Sequence, residues 1–271
     1  MTGRTLAPLG RRSVRVTATR EVGAYRMVTC ADPDGPRPQP GQFYMLAAVR
    51  GWGAGEGERP FLPRALSYLS ACDDGSELSF LLEDVGPGTH ALAALAPSQK
   101  LWLTGPLGVG FAAPADGRRA LLVGGGIGIV PLAAWQSELG GGERAPALLG
   151  FRDAAHAHGA DLIENARVTT DDGSVGRRGL VTQLLQDELD VDDHATVYAC
   201  GPPPMLEAVR ALCERRGVAA QLALESGMAC GFGACFGCVV ATRDGYLRVC
   251  LDGPVIDAAR LQTALIPEAG H

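Results

Sequence analysis

Alternation of apolar and polar positions dominates the first hundred residues. Ser13-Val14-Arg15-Val16-Thr17-Ala18-Thr19 switches character at nearly every step, as a half-buried strand does. Further β-like runs follow at 25–30, 41–49, 65–71, 77–84 and 100–104. Turn formers separate them: Asp32-Pro33-Asp34-Gly35, Pro40-Gly41 and Asp73-Asp74-Gly75. Short strands at this spacing, without long helical patterns between them, predict a small antiparallel β-barrel. The glycine-rich stretch 51–59 reads as a surface loop of that barrel. Beyond residue 113 the pattern changes. Ala120-Leu121-Leu122-Val123 is continuously apolar, like a parallel strand buried on both faces. It runs into Gly124-Gly125-Gly126-Ile127-Gly128-Ile129-Val130-Pro131 and a helix to about Leu139. A second strand at 147–152, a weak third at 168–170 and a helix at 180–189 follow. A fourth strand at 196–200 ends in Gly201-Pro202-Pro203-Pro204-Met205 and the helix 206–216. Strand–helix alternation predicts a doubly wound parallel sheet with its ligand at the carboxyl ends of the strands.

Neither period continues past residue 222. There the chain carries Cys230-Gly231-Phe232-Gly233-Ala234-Cys235-Phe236-Gly237-Cys238, answered by Cys250. The spacing C-x4-C-x2-C is that of a plant-type ferredoxin, and small residues between the thiols let main-chain N–H groups turn inward. Cys230, Cys235, Cys238 and Cys250 are therefore expected to hold a [2Fe–2S] cluster. A structural zinc is the alternative, but zinc sites usually show two paired hooks and Cys250 stands alone. Disulfides are disfavoured because no export signal is present.

Composition adds exclusions. With 271 residues, two or three domains are expected. A formal net charge of -6 argues against a nucleic-acid partner held through phosphates. The basic stretch 1–20 has no apolar core segment, and no run approaches the length of a membrane span. A cytoplasmic protein without a membrane partner is expected.

Other residues carry two readings each. Arg64-Ala65-Leu66-Ser67 places an arginine and a hydroxyl on a short extended segment, either an edge strand or a ligand contact. Val85-Gly86-Pro87-Gly88-Thr89-His90 suits a phosphate at a helix start, or an ordinary helix capped by Thr89. The glycine loop 124–128 suits a pyrophosphate but is not a strict G-x-G-x-x-G. Asp153, after the second strand, would hydrogen-bond a ribose 2′-hydroxyl and favour NAD, while Arg152 beside it pulls towards NADP. Cys200 is either a small buried hydrophobe or a neighbour of a nicotinamide. His156 and His158 have no completing ligands in sequence and read as solvated loop histidines.

A nucleotide domain exchanges hydride, two electrons at once, whereas an iron–sulfur cluster takes one. The pair implies a flavin between them. Taken together, these stretches resemble the electron-transfer subunits of NAD-dependent type B dihydroorotate dehydrogenases, within the ferredoxin–NADP reductase superfamily. The resemblance runs over residues 12 to 262. It is carried by Pro40-Gly41-Gln42-Phe43, Arg64 to Ser67, Gly88-Thr89, Gly105-Pro106-Leu107-Gly108, Gly124 to Gly128 and Cys200-Gly201-Pro202, and above all by Ala229 to Cys238 with Arg248 to Val255. Thr170-Asp171-Asp172-Gly173-Ser174 and Gly179-Leu180-Val181-Thr182 are similar to its NAD-domain signature. The resemblance implies three domains: an FAD-binding β-barrel (1–113), an NAD-binding α/β domain (114–222) and a [2Fe–2S] domain (223–271). It also implies FAD contacts at Arg64, Ala65, Leu66, Ser67, Leu81, Leu82, Glu83, Gly88 and Thr89. NAD contacts are implied at Gly124, Gly125, Gly126, Ile127, Gly128, Cys200, Gly201 and Pro202. The implied partner is an FMN-containing (β/α)8-barrel catalytic subunit, two of each chain per assembly, serving pyrimidine biosynthesis. No acid–base catalyst is assigned to this chain. Ala65 departs from the proline usual in the family, which relaxes the φ restraint there. The glycine-rich insertion before Arg59 is also longer than expected. The same sites would serve the reductase of a hydrogenase, a sulfide-acting complex or an oxygenase. A nucleotide-sensing module with a structural cluster is the non-catalytic alternative.

Overall fold

A computed structural model describes residues 10–53, 60–115 and 117–266. The start of the basic stretch (1–9), the distal part of the glycine-rich loop (54–59), residue 116 of the loop before the second domain, and 267–271 lie outside the described residues.

The alternating region forms one seven-stranded antiparallel sheet. Its strands are β1 (Arg12–Val22), β2 (Tyr25–Ala31), β3 (Phe43–Ala48), β4 (Arg64–Ser67), β5 (Ser70–Ala71), β6 (Glu77–Glu83) and β7 (Lys100–Leu107), with α1 (Pro87–Ala93) after β6. The order is β4-β3-β7-β1-β2-β6-β5, and the sheet curls into a barrel-like wall round Val14, Val16, Tyr44, Leu46, Phe80, Leu82, Leu101 and Leu103. The run 65–71, read as one strand, breaks in two. Tyr68 and Leu69 are consecutive yet both buried, which a flat pleat does not allow, so the chain bends from the β3 ladder to β6. Arg12 closes one end of the wall: its Nε and Nη2 donate to the two oxygens of the buried Asp32 at 2.8 and 2.6 Å, and Nη2 also donates to the Gly105 carbonyl.

The second sheet is built from β8 (Arg119–Gly125), α2 (Ile129–Glu138), β9 (Ala147–Phe151), α3 (Ala154–Ala157), β10 (Ala166–Thr170), β11 (Arg177–Arg178), α4 (Val181–Val191), β12 (Ala195–Cys200), α5 (Pro203–Arg216) and β13 (Ala219–Ala223). After it come β14 (Val239–Thr242), β15 (Gly245–Arg248), α6 (Val249–Asp252) and β16 (Val255–Asp257). The sheet order is β11-β10-β9-β8-β12-β13-β16, parallel throughout except for β16, which runs antiparallel to β13. β13 has no β-branched or aromatic residue, so its sequence carries no strand signal; pairing with β12 imposes the conformation. The direction of strand addition reverses between β8 and β12, which opens a crevice at their carboxyl ends. Residues 224–254 leave the sheet, form the cysteine loop and the β14–β15 hairpin, and return to its edge as β16. Among the described residues no helix is long and apolar enough to cross a membrane.

Candidate functional site

At the crevice, β8 ends in a 3-10 turn, Gly126–Gly128, that leads directly into α2. Gly126 takes φ 54°, a left-handed value that favours glycine. The turn lies backbone against backbone on the end of β12. A Cβ on Gly128 would fall 2.3 Å from the Cys200 carbonyl oxygen, and one on Gly201 would fall 3.0 Å from Gly125 Cα. Gly125 is closed in by Met205 and Pro202 in the same way. The sequence-predicted stretches 124–128 and 200–202 thus meet at one point. The Cys200 thiol is buried in the apolar layer, and burial, with Glu225 nearby, raises its pKa well above the usual range. It packs among the apolar residues of that layer.

One expectation beside the crevice is corrected. His156 is buried, not solvated, because the β1–β2 hairpin of the barrel covers it; His158 is exposed as expected. Asp153 is the cap of α3: Oδ1 accepts from the His156 main-chain N–H at 3.1 Å and lies 2.6 Å from His156 Nδ1. Those bonds to His156 hold the Asp153 carboxyl below the usual range.

The predicted flavin residues flank a gap in the barrel wall. Among the described residues β4 stands at one end of the strand order and pairs only with β3. On the facing side β5 covers β6 only at Leu78 and Ser79, so the main chain of Leu81-Leu82-Glu83 is unpaired by the sheet on that edge. The Leu81 and Leu82 side chains are buried on opposite faces, leaving their backbone to meet a ligand. Arg64 brings the gap and α1 together: a Cβ on Gly88 would lie 2.4 Å from Arg64 Nε, so only a bare backbone admits the guanidinium. Thr89 is not the helix cap. Gly86 is, and the Thr89 hydroxyl accepts from the N–H groups of Val85 and Gly86 and closes the turn ahead of the helix. Glu83 points to the second sheet, where it accepts hydrogen bonds from Arg152 and His156. A half-buried arginine, an open main-chain edge and a glycine approach suit the pyrophosphate and sugar of a flavin dinucleotide.

The cysteine loop turns on left-handed residues, Gly231 at φ 77°, Gly233 at 86° and Phe236 at 59°. Main-chain N–H groups point at sulfur as expected: Ala234 to Cys230 Sγ at 3.3 Å, Gly237 to Cys235 Sγ at 3.4 Å and Cys250 to Cys238 Sγ at 3.5 Å. Burial acts to raise the Cys230 pKa, but main-chain N–H groups of Cys235, Phe232 and Ala234 and the Cys235 thiol outweigh it and bring it down to about 6. Cys250 is pushed up to about 12, by burial first and by Cys238 second. The thiols fall into two pairs, Cys230 with Cys235 and Cys238 with Cys250, the latter with sulfurs 3.2 Å apart. Among the described residues no three His, Cys, Asp or Glu side chains close round a single ion. Two pairs, each with N–H donors to sulfur, fit two irons better than one tetrahedral zinc.

The loop also touches the barrel. A Cβ on Gly231 would meet Met45 of β3 at 2.6 Å and Leu107 of β7 at 3.1 Å. Met45 pairs with Ala65 across β3–β4, and Ala65 shares one apolar layer with Met45, Leu107, Cys238 and Cys250. Ala65, one of the predicted flavin residues, and the cysteine loop are therefore on two sides of one packed layer.

Comparison with known proteins agrees with this geometry. Residues 225–262 match the iron–sulfur cluster binding domain of dihydroorotate dehydrogenase B, a stretch containing all four cysteines. A dihydroorotate dehydrogenase B (NAD(+)) electron transfer subunit from Geobacillus thermodenitrificans is 36% identical over 93% of this chain and 99% of its own length. One from Caldanaerobacter subterraneus subsp. tengcongensis is 34% identical over 89% of this chain and 94% of its own. The chain belongs to this family. Among solved structures, an NADH-dependent reduced ferredoxin-NADP oxidoreductase matches 97% of this chain and 92% of its own, with a TM-score of 0.77 and 23% identity. The ferredoxin reductase of carbazole 1,9a-dioxygenase matches 77% of this chain and 66% of its own, with a TM-score of 0.65 and 23% identity. Both share the fold of this family member.

Proposed function

We propose that the chain carries electrons between NAD(H) and the catalytic subunit of dihydroorotate dehydrogenase B, through FAD and a [2Fe–2S] cluster, in pyrimidine biosynthesis. The observation that supports this most is the layer that Ala65, in the strip of predicted flavin residues, shares with the cysteine loop, through Met45, Gly231 and Cys238. In this reading Arg64 meets the FAD pyrophosphate and Ser67 lies nearer the ring. Main-chain groups of residues 65, 66, 81–83, 88 and 89 hold the sugar and phosphates. The backbone of residues 124–128 and 200–202 takes the nicotinamide nucleotide, and Cys230, Cys235, Cys238 and Cys250 would hold the cluster. A bound flavin supplies the exchange between two-electron and one-electron transfer that the pairing of NAD with a cluster requires. The protein's own work is to keep these ligands in fixed register and to direct N–H groups at the sulfurs, which tunes the cluster's potential. No side chain is assigned a proton-transfer role. The partner is proposed to be an FMN-containing (β/α)8 barrel in a two-plus-two assembly. The proposed units remain residues 1–113, 114–222 and 223–271, the last lending β16 to the sheet of the second.

The test is a separation of sites. Cys235→Ser is expected to lose the visible absorption of the cluster and electron transfer to the partner, while keeping FAD and NADH-driven reduction of a dye. FAD loss in that variant would contradict separable sites. Stoichiometric zinc in a colourless wild-type preparation would sink the relay altogether.

A further inference from the structure

Where the barrel meets the second sheet, polar side chains are buried that the proposed electron path does not use. His156 leaves 8% of its side chain exposed. Its Nδ1 lies 2.6 Å from Asp153 Oδ1 and accepts from Arg152 Nε at 3.2 Å, and its Nε2 lies 3.1 Å from Glu83 Oε1, so a polar partner stands at each end of the ring. Arg152 Nη2 donates to the same Glu83 oxygen at 3.1 Å. The Tyr25 ring packs edge-on against the imidazole, centroids 5.5 Å apart. Beside it the Ala24 N–H donates to the Ala155 carbonyl at 2.9 Å. Gly23, at φ 57°, makes that approach possible, since a Cβ there would fall 2.0 Å from the same carbonyl.

Both sides of this contact continue directly into a proposed ligand segment. Glu83 is the last residue of the flavin strip on β6, and β6 also packs on the Gly126–Gly128 turn. Arg152 to His156 follow β9, whose neighbour β8 carries the glycine loop, with Gly125 opposite Gly150. We propose that His156 is a positioning residue which, acting through Glu83, fixes the nucleotide crevice against the flavin strip at the separation hydride transfer needs. The inference rests on the relay reading above. Hydride transfer moves one hydrogen nucleus and two electrons from NADH to the flavin and leaves NAD+, and it requires the reacting atoms within about 3–3.5 Å. A buried imidazole bonded at both ends is a short strut with little freedom, unlike the long exposed Arg152. A histidine that only stabilised the fold would change melting and leave the approach of nicotinamide to flavin intact.

The holo-protein, with FAD and cluster bound, is mixed with NADH without oxygen, and flavin bleaching is followed across NADH concentrations. His156→Ala is expected to lower the limiting rate by ~10- to 100-fold, with the NADH dissociation constant changed less than about threefold. Hydrogen exchange is expected to rise at amides 22–25 and 153–158 and to stay unchanged in the cysteine loop. His156→Gln keeps a donor towards Glu83 and is expected to recover most of the rate. FAD content and cluster absorption equal to wild type show that a variant is folded. If His156→Ala loses FAD, His156→Leu, which fills the space but offers no ring nitrogen, carries the test with the same expected loss of rate and rise in exchange. In His156→Ala, or in His156→Leu where the alanine variant loses FAD, a limiting rate within about twofold of wild type, or exchange unchanged at those amides, would overturn the positioning role. Wild-type flavin left oxidised by NADH would overturn the relay reading instead, so the two failures are distinct.

Discussion

Gly88 and Gly128 lack side chains for different reasons, and the difference predicts different failures. At Gly88 an added methyl meets the far end of Arg64, which can swing away. Gly88→Ala is therefore expected to fold normally but to weaken FAD binding by ~10-fold, the equivalent of about 1.4 kcal/mol; the flavin content of dialysed protein measures it. At Gly128 the methyl meets a main-chain carbonyl at 2.3 Å, which cannot move without shifting β12. Gly128→Ala is expected to cost about 1–3 kcal/mol of stability and to abolish NADH titration of the flavin, while dithionite still bleaches it. At this scale the sequence was most legible where small residues and thiols recur at fixed spacing, as in 230–238. It was least legible at His156 and Glu83. Their environment is made by residues from another part of the chain, Tyr25 for the histidine and Arg152 for the glutamate, and local pattern carries no trace of that.

Among the elements, the parallel strands β8, β9 and β12 were readable because burial on both faces demands unbroken apolar runs. β13 and β16 were not, since partners rather than propensity define them. The α5 helix shows how such late elements are anchored. Glu207 accepts from Arg210 through both of its oxygens, and from the Thr263 hydroxyl and the Ala264 N–H, so it staples the tail to the helix. The Arg210 hydrogen bonds chiefly, helped by Ala264 and Thr263, bring its pKa down to about 2 from an ordinary 4.5. A carboxylate with a depressed pKa stabilises the fold above its ordinary value and loses that contribution as pH falls through the depressed one. Wild-type melting temperature is thus expected to drop between pH 4.5 and 2 more steeply than that of Glu207→Gln. The variant itself should lose about 1–3 kcal/mol at neutral pH, as thermal unfolding across pH would register.

For the whole molecule, the return of the chain as β16 has a consequence for its making. Without that strand, β13 would border the sheet with a bare row of N–H and C=O groups, a template on which another molecule can pair. Among the described residues the border is sealed only by ones that lie beyond the sulfur-bearing segment, so a segment that has not closed round its irons leaves the seal loose. Iron supply would then govern solubility as well as colour: chains synthesised in iron-starved cells are expected to partition into the insoluble fraction, and replete medium to restore them, as the soluble yield across an iron series would reveal.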